Sequence, residues 1–190
     1  LDGAMGTMIQ RHKLDESAFR GDRFKDWNKD LKGHNDLLNV TQPHVIEGIH
    51  RQYLEAGADI VETNTFNSQS VSLADYDMAE LGYELSKAGA ECAKRAVAQV
   101  VAAQPARRCF VAGAIGPTTK AISVTGGITF EELTRNFYVQ AKALIEAGAD
   151  PVMAFEMTLA HQKRRGPAHH VVGQAPDEAV DVVGFDRPGP

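Results

Sequence analysis

Apolar residues recur along this chain in two rhythms. Short unbroken runs near 59–63, 109–114 and 151–156 are rich in Val, Ile, Ala and Phe, and each is bounded by Gly, Pro or Asp. Runs of that length and make-up predict buried strands. A brief apolar start near 1–4 predicts a further strand, running into a loop by residue 10. Between the runs, apolar positions fall three or four apart. Val45, Ile46, Ile49, Tyr53 and Leu54 mark one helix, with Thr41 as its cap, Pro43 in its first turn and Gly57 as its stop. Residues 74–102 predict a long Ala-rich helix. Residues 129–147 predict another, opened by Thr129 with Glu132 three places on. Residues 11–36 show no period. Phe19, Phe24 and Trp27 lie there among charges, which predicts a long loop packed on its own aromatics.

One phrase occurs twice: Glu55-Ala56-Gly57-Ala58-Asp59 returns as Glu146-Ala147-Gly148-Ala149-Asp150. Each copy closes a predicted helix and precedes a predicted strand. A helix, a glycine stop and a buried strand, used twice, mark stacked βα units around a parallel sheet. The fold class is α/β. Right-handed units of this kind build either a doubly wound sheet or a (β/α)8 barrel. The four predicted strands correspond to about the first four βα units of a barrel, half of a closed one.

From Thr158 the pattern stops. Gly and Pro become dense, aromatics thin out, and the apolar scraps at 171–172 and 180–183 carry no amphipathic period. Residues 1–157 are expected to form the βα unit, and residues 158–190 a poorly ordered tail.

Composition then narrows the partners. The formal net charge is -5 and no basic stripe interrupts it, so nucleic acid is not an expected partner. No apolar run is long enough to span a bilayer, so a membrane is not expected either. Cys92 and Cys109 are the two cysteines. They form no disulfide framework, and a reducing, cytoplasmic setting is expected. The chain opens on apolar Leu1 directly before an acid, which predicts further sequence upstream.

The chemistry starts at Leu1-Asp2-Gly3-Ala4-Met5-Gly6-Thr7. Gly3 and Gly6 let a ligand approach the main chain. An acid beside free backbone N–H groups suits a zwitterion: the acid takes an ammonium and the amides take a carboxylate. The same stretch also serves as a plain strand-to-helix turn.

This stretch resembles the homocysteine S-methyltransferases. So do Leu31-Lys32-Gly33-His34-Asn35-Asp36-Leu37-Leu38, Ala56-Gly57-Ala58-Asp59-Ile60-Val61-Glu62-Thr63-Asn64-Thr65-Phe66, Gly113-Ala114-Ile115-Gly116-Pro117-Thr118 and Thr129-Phe130-Glu131-Glu132-Leu133. These motifs are collinear over residues 1 to about 150. The long segment at 20–38 is similar to the N-terminal domain of the cobalamin-dependent methionine synthase branch, more than to betaine- or S-methylmethionine-dependent relatives. The resemblance implies a (β/α)8 TIM barrel with its site at the C-terminal strand ends, and methyl transfer to the sulfur of homocysteine to give methionine. It implies zinc held by cysteine thiolates to bind the substrate thiol. It also implies methylcobalamin as donor, with cobalamin- and folate-binding domains as partners. By position, Asp2 takes the amino group and the N–H groups around Gly3 and Ala4 hold the carboxylate. Glu62, Thr63 and Asn64 stand at the second strand's end as further substrate-binding candidates.

Two departures stand out. The family's fourth strand ends in an acid followed by Thr. Here Glu156 is the candidate, one place later than the pattern, and one place turns a strand side chain to the opposite face. The family's zinc cysteines, one in a later strand and a pair in Gly-Gly-Cys-Cys-Gly, are absent. Cys92 falls in a helix and Cys109 opens a strand at the end away from the site. The histidines show no ligand spacing. No catalytic residue and no metal ligand is therefore assigned. The tail resembles no part of the family. That predicts an incomplete domain ending in a shifted reading frame or a broken gene copy, inactive alone and prone to associate through open strand edges. The alternatives are a non-catalytic amino-acid-binding fragment, or another homocysteine S-methyltransferase using betaine or S-methylmethionine.

Overall fold

The computed structural model describes residues 1–120, 122 and 127–150, and Val152–Ala154 as backbone. Helices α1 (Met5–Arg11), α2 (Glu16–Arg20), α3 (Leu38–Thr41) and α4 (Pro43–Glu55) precede strand β1 (Ile60–Glu62). Helices α5 (Ser70–Leu73) and α6 (Gly82–Ala103) lead to β2 (Phe110–Ile115), and α7 (Phe130–Glu146) leads to β3 (Val152–Ala154). These strands are parallel, in the order β1-β2-β3. Val61 pairs with Val111, and Ala114 with Met153, so β2 is central among them.

The core follows from the helical spacing. Leu54, Val61, Ala93, Ala96, Val97, Val100 and Val111 form one buried cluster that ties α4 and α6 to β1 and β2. Ile46, Ile49, Leu85 and Cys92 belong to a second, which also takes in Phe19 and Phe24. Each large apolar side chain buried this way contributes about 1.5–3 kcal/mol. Small residues along α6 let it lie close to its neighbours. At Gly89 a Cβ would collide with the Thr65 methyl group and would stand 2.7 Å from Asn39 Nδ2.

Both copies of the repeated phrase make the same turn. Gly57 has φ 107° and Gly148 φ 85°, a left-handed stop that glycine takes without strain. In the first copy the Ala58 N–H donates to Tyr53 O at 3.0 Å. In the second the Ala149 N–H donates to Leu144 O at 3.0 Å. Each turn delivers the chain into a strand of the sheet. Thr129 and Glu132 form a reciprocal capping box at the start of α7.

Several expectations change. No strand forms at 1–4. The Asp2 N–H makes one strand-like bond to Ile60 O at 2.9 Å, and the chain then turns into α1. Met5, Met8 and Ile9 lie three and four apart and pack on the core, so the apolar run there has the helical period. The loop expected at 11–36 contains α2, capped by Asp15 through the Ala18 N–H. Its aromatics do pack: Phe24 and Trp27 meet edge to face at 5.6 Å. Thr41 is not the cap of α4. It ends α3 and bonds back to Leu37 O, while Gln42 takes the cap position. The long helix starts at Gly82 rather than 74, because Asp77 adopts a left-handed conformation (φ 57°) that breaks the run. Glu156 and residues 158–190 lie outside the described residues.

Candidate functional site

The C-terminal ends of β1 and β2 are where polar groups gather. Asp2 reaches this rim from outside β1: its Oδ2 accepts the Glu62 N–H at 3.1 Å. Burial pushes the Asp2 carboxyl from 3.8 up to about 7. The Glu62 N–H works against that rise, and the Glu62 charge adds to it. Both acids are half-buried. Two carboxyl groups side by side at a strand end can hold one ammonium, whose charge would bring both to the ionised form. Next to Asp2, Gly3 passes close to Tyr53, where a Cβ would stand 3.2 Å from the ring, and the Tyr53 hydroxyl donates to Ala4 O at 3.4 Å. Ala4 supplies no side-chain cap to α1, whose first-turn N–H groups have no intrahelical partner.

Thr63 and Asn64 turn their polar groups into the fold. The Thr63 hydroxyl accepts the Ala114 N–H at 2.9 Å and shares a hydrogen bond with Thr65 at 2.5 Å. Thr65 Oγ1 donates to Ala114 O at 2.7 Å. Past Glu62 the Thr63 N–H still donates to Ala112 O at 2.9 Å, and the threonine side chains then carry the β1–β2 ladder on to Ala114. Asn64 Nδ2 donates to Asn35 O at 2.8 Å and to Asn39 Oδ1 at 3.1 Å, and Asn39 Nδ2 returns a bond to Asn64 O at 2.7 Å. Gln140 Nε2, from α7, donates to Thr65 O at 2.7 Å. The rim is thus braced from α3, α7 and the loop before α3. At Gly116 a Cβ would collide with Phe66 O and its ring, and the Gly116 N–H donates to Phe66 O at 3.0 Å, closing β2 against the loop after β1.

Asp2, Gly3, Ala4 and Glu62 therefore meet at one place, while Thr63 and Asn64 lie beneath it as supports. Sequence reasoning assigned no role to Asn39, Thr65 or Gln140. For Asn39 and Gln140 the available signal was a polar side chain inside an otherwise apolar run.

The donors present are a poor match for zinc. Cys92 is fully buried in α6, and burial pushes its thiol up to about 12, so it stays protonated. Cys109 precedes β2, at the end of the sheet away from Asp2 and Glu62. Among the described residues no group of three His, Cys, Asp or Glu side chains could hold a metal ion. The described residues do not fit a zinc site. Among them, no helix is long and apolar enough to cross a membrane.

The fold is shared with homocysteine methyltransferase MmuM from Escherichia coli. The metallated form aligns with a TM-score of 0.63 at 22% identity, over 81% of this chain and 52% of that one. The oxidised form aligns with a TM-score of 0.62 at 21% identity, over 80% and 50%. The chain spans about half the length of these structures. At the level of sequence, residues 1–163 match the profile of the homocysteine S-methyltransferase family, and the chain belongs to that family.

Proposed function

We propose that this chain forms the homocysteine-binding end of a methyltransferase barrel, to whose sheet its three described parallel strands belong. The observation that carries this reading is the Asp2–Glu62 pair at the end of β1 beside the backbone of Gly3 and Ala4. Asp2 receives the substrate ammonium, with Glu62 adding negative charge, and the N–H groups at Gly3 and Ala4 receive the carboxylate. The methionine synthase branch, with methylcobalamin and cobalamin- and folate-binding domains in the whole enzyme, is favoured by the 20–38 segment. In this fold that segment is held by the Arg20 guanidinium, which donates to Trp27 O at 2.7 Å and Lys29 O at 2.8 Å. We place the protein in the cytoplasm, in keeping with its free cysteines.

The methyl-accepting sulfur must be a thiolate, and a free thiol near pKa 8.5 is mostly protonated at neutral pH. Among the described residues no group of His, Cys, Asp or Glu side chains could hold a metal ion that would activate the thiol. This favours a second reading, a fragment that binds the amino acid and transfers nothing by itself.

Calorimetry of the 190-residue chain with L-homocysteine, with and without Zn²⁺, separates the two. Saturable binding lost in Asp2→Asn supports the site. Zinc-dependent binding supports catalysis, and zinc-independent binding supports the second reading. A folded chain that gives no heat with homocysteine overturns both.

A further inference from the structure

A cavity of about 230 Å³ opens between the loop before α3 and the segment that follows β1. His34, Asp36, Asn67, Asp75, Tyr76 and Thr119 are among the residues that line it. His34 is 3% exposed and stacks on Tyr76, ring centroids 4.3 Å apart and planes 20° from parallel. Its Nε2 is buried and has no hydrogen-bond partner among the described residues. A native fold rarely leaves such an atom unsatisfied unless something outside the chain meets it. Asp36 is 4% exposed, and its Oδ1 accepts the Asn67 N–H at 2.9 Å. Asp75 lies exposed at the mouth. Among the described lining residues two are carboxylic acids and none is Lys or Arg.

We propose that this cavity binds a small molecule carrying an ammonium or amidinium group, with Asp36 and His34 Nε2 accepting its N–H donors. Burial holds the imidazole down at about 4, so at neutral pH it is uncharged and its free nitrogen accepts. Burial likewise pushes Asp36 up to about 6, yet at pH 7.5 it is mostly ionised. A buried carboxylate held by backbone N–H groups alone, those of Asn67 and Asp36 itself, gains most from a ligand that brings both charge and N–H groups. The Tyr76 ring adds a face on which a cation can rest. The volume is below that of most nucleotide-sized pockets and suits a molecule of amino-acid size.

The fold supplies its own reporter. Trp27, the one tryptophan, donates its indole N–H to Tyr76 O at 2.9 Å. The test is titration of the full chain at pH 7.5 with ethanolamine, and with neutral ethylene glycol as control. Trp27 emission and the ¹⁵N resonance of His34 Nε2 are followed. A saturable change with ethanolamine alone is expected, accompanied by movement of the Nε2 resonance. Asp36→Asn keeps an oxygen for the Asn67 N–H and is expected to weaken binding at least tenfold. His34→Phe keeps the stack, is expected to weaken it at least fivefold, and serves alone should Asp36→Asn not fold. Asp2→Asn is expected to leave ethanolamine binding unchanged, which separates this cavity from the homocysteine end. No saturable response, an equal response to glycol, undiminished affinity in the folded variants, or loss of binding in Asp2→Asn would each overturn the proposal.

Discussion

The carboxylate of Asp2 accepts the backbone N–H of Glu62 at 3.1 Å, across 60 positions of sequence. That bond fixes the start of the chain to the end of β1 and brings the Asp2 carboxyl within reach of the Glu62 charge. Asp2→Asn retains an oxygen for the Glu62 N–H and removes the charge. Homocysteine affinity is expected to fall at least tenfold, measured by calorimetry at pH 8.

The same substitution has a pH signature. The folded Asp2 carboxyl, at about 7, lies above its ordinary 3.8, so the unfolded chain sheds this proton first. Its contribution to stability is complete below about 3.8 and is lost as pH rises through 7. Thermal unfolding at pH 5 and pH 8 is expected to show a smaller difference in Asp2→Asn than in the parent chain. An unchanged difference would sink the assignment.

His50 presents the opposite case. It is fully buried in α4, neither ring nitrogen has a partner among the described residues, and burial holds it down at about 4 from 6.5. Its stabilising contribution is present above 6.5 and lost as pH falls through 4, on the order of 3 kcal/mol in all. His34 acts in the same direction, and Asp36, raised to about 6, opposes them. His50→Leu removes two unsatisfied polar atoms at similar volume. It is expected to raise stability at pH 7 by about 1–3 kcal/mol in urea unfolding and to flatten the loss below pH 6.

Thr63→Val keeps the shape and removes the hydroxyl that receives the Ala114 N–H at 2.9 Å. The orphaned amide is buried, so a loss of about 1–3 kcal/mol is expected in denaturant unfolding. Thr63→Ser is expected to recover most of it, since it restores the acceptor.

The two cysteines are expected to differ in reactivity. Cys92 is fully buried, with its thiol pushed up to about 12, and Cys109 is partly exposed. Brief treatment of the folded chain with iodoacetamide is expected to label Cys109 alone, as read by peptide mass spectrometry. Labelling of Cys92 at a similar rate would show that α6 opens readily.

The local rules were legible in the amino-acid order. Helical period, the Thr129–Glu132 box and the twice-used Glu-Ala-Gly-Ala-Asp turn each depend on residues a few places apart. They placed α4, α7, β1 and β2 and led to the α/β class, and linked motifs pointed to the family. Elements that depend on distant partners were not legible. Met5 to Arg11 is helical because Met5, Met8 and Ile9 find a core built by α4 and the 19–31 region. Asn39 braces the rim where α6 comes close at Gly89, and Gln140 does so from α7, across 75 positions of sequence. The cavity at His34 and the raised acid at Asp2 likewise arise from burial. How far a carboxyl or an imidazole is removed from water is set by everything packed around it, which a linear order of residues does not contain.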